Sequence, residues 1–198
     1  ETMKTNRVTN LHRQVLALTS GILLFLASFA SQAGTIVGTR HDFSTSTWSG
    51  GQICVACHTP HNADTSVSGA PLWNHEVTTT SFTTYSSPTF DGSTGQPGGT
   101  SKLCLSCHDG TVAIDSFGGA TGTTFMSGPS AVGSGADLSD DHPISFTYDA
   151  ALATLDGGLH NPTSTNVTIG AGGDKPKTGT IAETMLIANQ VQCASCHD

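Results

Sequence analysis

Six cysteines fall in three Cys-x-x-Cys pairs, Cys54/Cys57, Cys104/Cys107 and Cys193/Cys196, and each second cysteine is followed by a histidine, His58, His108 or His197. Cysteines three apart lie on one face of a helical turn, where both sulfurs can reach one planar ligand. The histidine that follows then sits beneath the centre of that ligand. These residue types at this spacing are the attachment pattern of c-type haem: two thioether bonds to the haem vinyl groups and one axial imidazole for the iron.

Other uses of paired cysteines fit less well. Zinc takes four ligands, which leaves two cysteines without a role and gives no reason for a histidine after every pair. A dithiol redox motif occurs once, near a βαβ pattern that this sequence lacks. A disulfide inside four residues is strained and closes little chain. Nine histidines in 198 residues give any one position a chance of about 1 in 22. Three in a row by accident is of order one in ten thousand.

Beyond residue 33 the remaining histidines are His41, His61, His75, His142 and His160. Three haems need at most three distal ligands, so a second imidazole is available for every iron. Iron closed by two histidines has no open position for a substrate, which suits electron transfer over small-molecule chemistry. His61 sits in Cys-His-Thr-Pro-His, where the alternative is an exposed turn histidine. His75 follows Trp73, where the alternative is a local apolar cluster. His142 lies among Asp140 and Asp141, which with Asp137 could instead make a solvated turn or a calcium site. His41 stands close to the start of the expected mature chain, where chains fray. His160, between Gly157-Gly158 and Asn161-Pro162, reads as a surface loop. Met126 and Met185 could instead ligate an iron and raise its potential, but core or linker packing is the first reading for both.

The first residues indicate export. Lys4, Arg7 and Arg13 precede a mostly apolar, uncharged run at 15–29, followed by Ser31-Gln32-Ala33. This is the pattern of a secretory signal peptide spanning 1–33, cleaved before Gly34. The apolar run is shorter than the roughly 20 residues a membrane span needs. Glu1 and Thr2 stand ahead of Met3, the expected start. The expected mature domain, 34–198, keeps four basic residues against fourteen acidic ones, a net charge of −10. That acidic balance argues against nucleic acid or an anionic membrane as partner. The expected setting is periplasmic or extracellular, with no membrane insertion after cleavage.

Composition raises a difficulty that the motifs answer. Only 29 of these 165 residues are Leu, Ile, Val or Phe, about 18%. A chain so poor in apolar side chains does not offset its ordering entropy with its own core. Three porphyrins, each a large flat apolar body, would fill that core. Without haem the mature chain is expected to be largely unfolded.

The elements that must position these residues are few. Ser-, Thr- and Gly-rich connections at 78–84, 91–101, 118–137 and 161–179 argue for loops and against long strands. Two helices are expected. One, at 149–155, is alanine-rich and stopped by Gly157-Gly158. The other, at 181–192, is opened by the capping box Thr180-Ile181-Ala182-Glu183 and would seat Cys193 at its C-terminal end. The expected fold is one domain, mostly irregular and loop-rich with a few short α-helices, wrapped around covalent haems.

Cys-Val-Ala-Cys-His-Thr-Pro-His-Asn (54–62), Pro-Leu-Trp-Asn-His (71–75), Cys-Leu-Ser-Cys-His-Asp-Gly-Thr (104–111), Asp-His-Pro-Ile (141–144) and Cys-Ala-Ser-Cys-His-Asp (193–198) resemble the multihaem cytochromes with doubled CXXCH motifs. Within that group the motif order is most similar to the tetrahaem cytochromes that polymerise into extracellular filaments. The resemblance implies bis-histidine ligation, with His41, His61, His75 and His142 as distal ligands, and stacked haems that pass electrons along a chain. It implies redox partner proteins and self-association into filaments. It also implies a fourth haem motif beyond Asp198, so the sequence is expected to be truncated at its C-terminus. The function expected is electron transfer, not enzymatic catalysis. The rival from another class is a multihaem reductase, which needs an iron with an open or lysine-bound distal face. Lys102, two residues before Cys104, is the lysine placed for that role.

Overall fold

Helix α1, Gly99–His108, carries the second motif. Its opening is unpromising, because Gly98 supplies no side-chain cap and Gly99 has a left-handed φ of 48°. Burial compensates: Ser101, Leu103, Leu105 and Ser106 are all inside. At 3.6 residues per turn, positions 103 and 105 point to nearly opposite sides of the helix. Leu103 packs with Val67 and Trp73, and Leu105 packs with Phe82, Leu138 and Ile144. The helix thus stands between two small apolar clusters. It ends at Asp109, and Gly110 turns the chain away with a φ of 72°.

The computed structural model describes residues 35–170 and 176–197. The expected signal peptide at 1–33 lies outside the described residues, as does Asp198. The chain divides into two units, Glu1–Thr35 and Ile36–Asp198, and the second contains every motif. Two further helices follow α1: α2, Ala150–Asp156, and α3, Ile181–Thr184. Among the described residues six short strands join in three pairs. Strands β1 (Thr83–Thr84) and β2 (Asp137–Leu138) pair in parallel. Strand β3 (Phe146–Thr147) pairs antiparallel with β6 (Gln190–Val191), and β4 (Asn166–Ile169) with β5 (Lys177–Thr180). The rest of the described chain is turns, 3-10 turns and irregular backbone. This is the loop-rich architecture expected from the composition. Among the described residues no helix is long and apolar enough to cross a membrane.

Helix α2 forms where expected. The Asp149 carboxylate caps it by accepting from the Leu152 amide at 2.9 Å, and Gly157 ends it in the left-handed conformation with a φ of 74°.

The second expected helix is corrected. Its capping box is present, with Thr180 and Glu183 each bonded to the other's backbone N–H, but α3 stops after four residues. Ala188 and Asn189 have φ of 51° and 60°, which turns the chain at the point where a helix would continue. The segment returns as β6 beside β3 (Phe146↔Val191), so edge pairing replaces the helix that local propensity favours. All four stretches expected as loops also hold structure: 78–84 contains β1, and 118–137 contains a 3-10 turn at Gly128–Ser130 and the start of β2. The 91–101 stretch contains the start of α1, and 161–179 contains β4 and most of β5, a hairpin in the register Asn166↔Thr180 to Ile169↔Lys177.

A buried polar network ties the chain's last described segment to α1. Gln192 Oε1 accepts from the Ser101 amide at 3.2 Å and from the Ser145 hydroxyl at 3.3 Å. The Cys193 amide donates to Ser101 Oγ at 2.9 Å, and the Gln192 amide donates to Ser195 Oγ at 2.9 Å. On the other side of α1, the Thr78 amide donates to Ser106 Oγ at 3.0 Å and its hydroxyl donates to Asp109 Oδ2 at 2.6 Å. Hydroxyls and amides do here much of the positioning that apolar side chains do in richer cores.

Candidate functional site

Each cysteine motif is a helical turn. In the first, the Cys57 and His58 amides both donate to the Cys54 carbonyl, at 3.2 and 2.8 Å. In the third, the Cys196 and His197 amides donate to the Cys193 carbonyl, at 3.3 and 3.0 Å. The second motif lies within α1. This repeated bonding places both sulfurs and the following imidazole on one side of a turn, as the spacing requires. Among the described residues none of the six cysteines forms a disulfide.

Two histidine–histidine ring pairs occur among the described residues, and each joins a motif histidine to one of the expected distal histidines. His142 and His197 have centroids 6.3 Å apart with ring planes at 16°. His41 and His108 have centroids 6.1 Å apart with planes at 73°. An imidazole nitrogen lies about 2.0 Å from a transition-metal ion and about 1.1 Å from its own ring centre, so two rings facing across one ion have centroids about 6.2 Å apart. Ordinary aromatic pairs span the same range. The choice of partners distinguishes these two, because both link a histidine of a cysteine motif to a histidine far away in sequence.

In His108, His58 and His142 the ring Nδ1 meets a backbone carbonyl. The Nδ1–H of His108 donates to the Ser130 carbonyl at 2.7 Å, and that of His58 donates to the Pro71 carbonyl at 2.9 Å. His142 Nδ1 faces the Pro143 carbonyl at a longer 3.5 Å. Since a carbonyl only accepts, the proton sits on Nδ1 and the Nε2 lone pair is free for a metal. These carbonyls are functional groups that the sequence does not reveal, because any residue supplies one.

His41 is exposed but makes ring contacts. Its ring meets Phe43 edge-on at 6.3 Å, Phe43 packs on Trp48 at 5.0 Å, and Trp48 on Phe117 at 5.9 Å. Asp42 caps the turn Phe43–Thr45 through the Ser44 amide. This aromatic row anchors the first described segment against the 113–120 loop.

His75 and His61 are placed differently. His75 is 1% exposed. Its Nδ1 faces the Glu76 carbonyl at 2.7 Å, while Nε2 lies 3.1 Å from the Ala113 carbonyl and 3.4 Å from Cys107 Sγ. His75 is therefore brought to the second motif. The exposed His61 shares with His75, Trp73, Asp64 and Phe117 the lining of a cleft of about 730 Å³. That volume is within the usual range for cofactor sites. Neither ring is paired with that of His58 among the described residues. His160 is exposed, as expected. Lys102 is half-buried on α1, near enough to Asp64 to help hold its carboxyl low, after the stronger effect of the Ser66 amide and hydroxyl.

The thiols report how the motifs adjoin. Burial raises Cys107 to about 12, with Cys57 and Asp109 adding to the rise. Burial raises Cys57 as well, followed by Cys54. Cys104 shares a hydrogen bond with Cys193, and that bond is the largest cause of its rise. The same bond is the main cause holding Cys193 down, to about 6, against burial and with help from Ser101, His142 and His197.

Among the described residues no group of three or more His, Cys, Asp or Glu side chains converges to hold a metal ion. Two imidazoles per iron are what a porphyrin leaves to the protein, since its own four nitrogens fill the plane. No family model matches the chain, and no curated protein matches it either.

Proposed function

We propose that this chain is an exported electron-transfer protein whose loops wrap three covalently attached c-type haems, at Cys54/Cys57/His58, Cys104/Cys107/His108 and Cys193/Cys196/His197. The observation that carries the reading is the pairing of His142 with His197, and of His41 with His108, at the separation two imidazoles take across one metal ion. It is supported by the helical turn at each motif and by the apolar-poor composition. When bound, the haem supplies a one-electron iron couple. The chain's own residues hold, orient and insulate it. Cysteines anchor the macrocycle by two edges. His41 and His142 would supply the second imidazole to the iron at the second and third motifs, which would leave no open position for a substrate. The Ser130 and Pro71 carbonyls fix the ring tautomer and raise the basicity of the axial nitrogens.

Periplasmic or cell-surface placement, redox partner proteins and self-association into filaments belong to the same proposal, the filament on the resemblance alone. The test is mass spectrometry of the secreted protein together with its absorption and EPR spectra. Expected are an N-terminus at Gly34, a mass increment of three haems, and low-spin signals alone. A protein without covalent haem overturns the reading. Three haems with a high-spin iron would favour the reductase instead.

A further inference from the structure

We propose that Asn74 is the positioning residue of the first cysteine motif, the side chain through which the segment 71–74 holds the motif turn and keeps the His58 ring on the Pro71 carbonyl. The inference rests on the haem reading above and adds to it a residue that tunes one iron of the three.

The three motifs are held in different ways. The second lies inside α1 and is supported by the backbone bonds of a ten-residue helix. The third opens on Gln192, whose amide donates to Ser195 Oγ at 2.9 Å, while the Cys193 amide donates to Ser101 Oγ at 2.9 Å. The first is a lone turn at 54–57, outside any helix. A single helical turn is unstable by itself, because one or two hydrogen bonds do not offset the fixing of its backbone. Its support must come from elsewhere in the chain.

Asn74 supplies that support. Its Nδ2 lies 2.6 Å from the Val55 carbonyl, between the two cysteines, and its backbone amide donates to the Cys57 carbonyl at 3.0 Å. Ala56, between these two carbonyls in sequence, is 2% exposed, so the turn being held is packed into the protein. A carbonyl only accepts, so the side-chain atom facing Val55 is the amide nitrogen and not the amide oxygen. The Asn74 carbonyl accepts in turn from the Gly118 amide at 3.1 Å, which ties the clamp to a second loop.

The residues just before Asn74 connect this clamp to the axial histidine. The Pro71 carbonyl accepts from His58 Nδ1 at 2.9 Å, and the Leu72 carbonyl accepts from the Thr59 amide at 2.8 Å. Leu72 between them has a left-handed φ of 52° and is 56% exposed. That backbone is unfavourable for a leucine and persists only where its surroundings fix it. Here it is fixed from both sides, by the bonds of Pro71 and Leu72 to residues 58 and 59 and by those of Asn74 to the motif turn. Without the Asn74 side-chain bond the turn at Leu72 relaxes and the Pro71 carbonyl leaves the His58 ring. An axial imidazole that loses its Nδ1–H···O bond is less basic and stabilises oxidised iron less, so the potential of that haem rises.

The test is redox titration of three holoproteins: wild type, Asn74→Ala and Asn74→Asp, the last nearly isosteric but with an acceptor in place of the donor facing Val55. Haem stoichiometry is measured first. A wild-type protein without three covalent haems sinks the underlying reading and not merely this inference. Expected are three haems in every form, with one potential raised in both variants and the other two unchanged. In a protein that lacks the first haem, Cys54→Ala/Cys57→Ala, adding Asn74→Asp should move neither remaining potential. A variant that melts at lower temperature with all three potentials unchanged makes Asn74 a structural residue only and overturns the proposal. A shift that survives loss of the first haem overturns it as well. Should the variants fail to fold, NMR of the wild-type holoprotein decides. Slowly exchanging Asn74 side-chain amide protons support the inference, and freely exchanging ones refute it.

Discussion

The His142 and His197 rings lie with centroids 6.3 Å apart and planes at only 16°, although they belong to segments distant in sequence. The His41 and His108 rings lie 6.1 Å apart with planes at 73°. On the proposed ligation the two pairs would hold iron in two orientations. Parallel imidazole planes separate the energies of the iron dπ orbitals, whereas perpendicular planes leave them nearly equal. The low-spin EPR spectrum of the oxidised holoprotein should contain both a rhombic signal and a strongly anisotropic, large-gmax signal. A spectrum with only one of these classes would contradict the pairing.

Replacing His142 by alanine should leave three haems attached and change one iron. His197 remains beneath that iron, and the opposite face is opened. His142→Ala should bind carbon monoxide at about one haem in three when reduced, with a high-spin component when oxidised. His160→Ala, at an exposed loop position, should do neither. Carbon monoxide titration of both variants checks this, and a His142→Ala protein that stays wholly low-spin would remove His142 from the ligand set.

Ser101 joins two distant parts of the chain through one hydroxyl. Ser101→Ala leaves the Cys193 amide without its acceptor in a part-buried site, which should cost about 1 kcal/mol of holoprotein stability. Chemical denaturation with an unchanged slope and a lower midpoint is the expected outcome. No change would mean that the Cys193 amide finds another acceptor.

Glu183 links pH to the start of α3. The Thr180 amide and then its hydroxyl hold the Glu183 carboxyl below the ordinary value of 4.5. A carboxyl with a lowered folded pKa adds stability above its unfolded value, and that stability is lost as pH falls through the folded value. At pH 7 wild type should therefore melt above Glu183→Gln, and the gap should narrow as the pH falls past the ordinary carboxyl value and close as it falls through the lowered folded one. Paired melting curves across that window test it, and a gap that persists in acid would remove the carboxylate from the cap.

Some of this structure was legible because it is local. The turn of each Cys-x-x-Cys-His motif, the Asp149 cap with the Gly157 stop of α2, and the Thr180/Glu183 capping box depend on residues three or four apart. Helix α1 was not legible. Gly98-Gly99-Thr100-Ser101 reads as a loop, and the helix forms because Leu103 and Leu105 find clusters built from residues 67–82 and 138–144. The helix expected over 181–192 failed for the converse reason. Its propensity was sufficient, but Val191 pairs with Phe146 in another part of the chain and the backbone turns at Ala188 and Asn189 to reach it.

The sequence by itself determined the chemistry: which sulfurs and imidazoles are available, at what spacing, and in a chain too poor in apolar residues to build a large core. Side-chain type and short-range spacing need no fold to be read. Only the tertiary structure decided which distant histidine faces which motif, and that α1 stands between the other two motifs. Those relations are made by contacts across dozens of residues, through Ser101 to Cys193, Leu103 to Cys57 and His142 to His197, which local sequence does not encode.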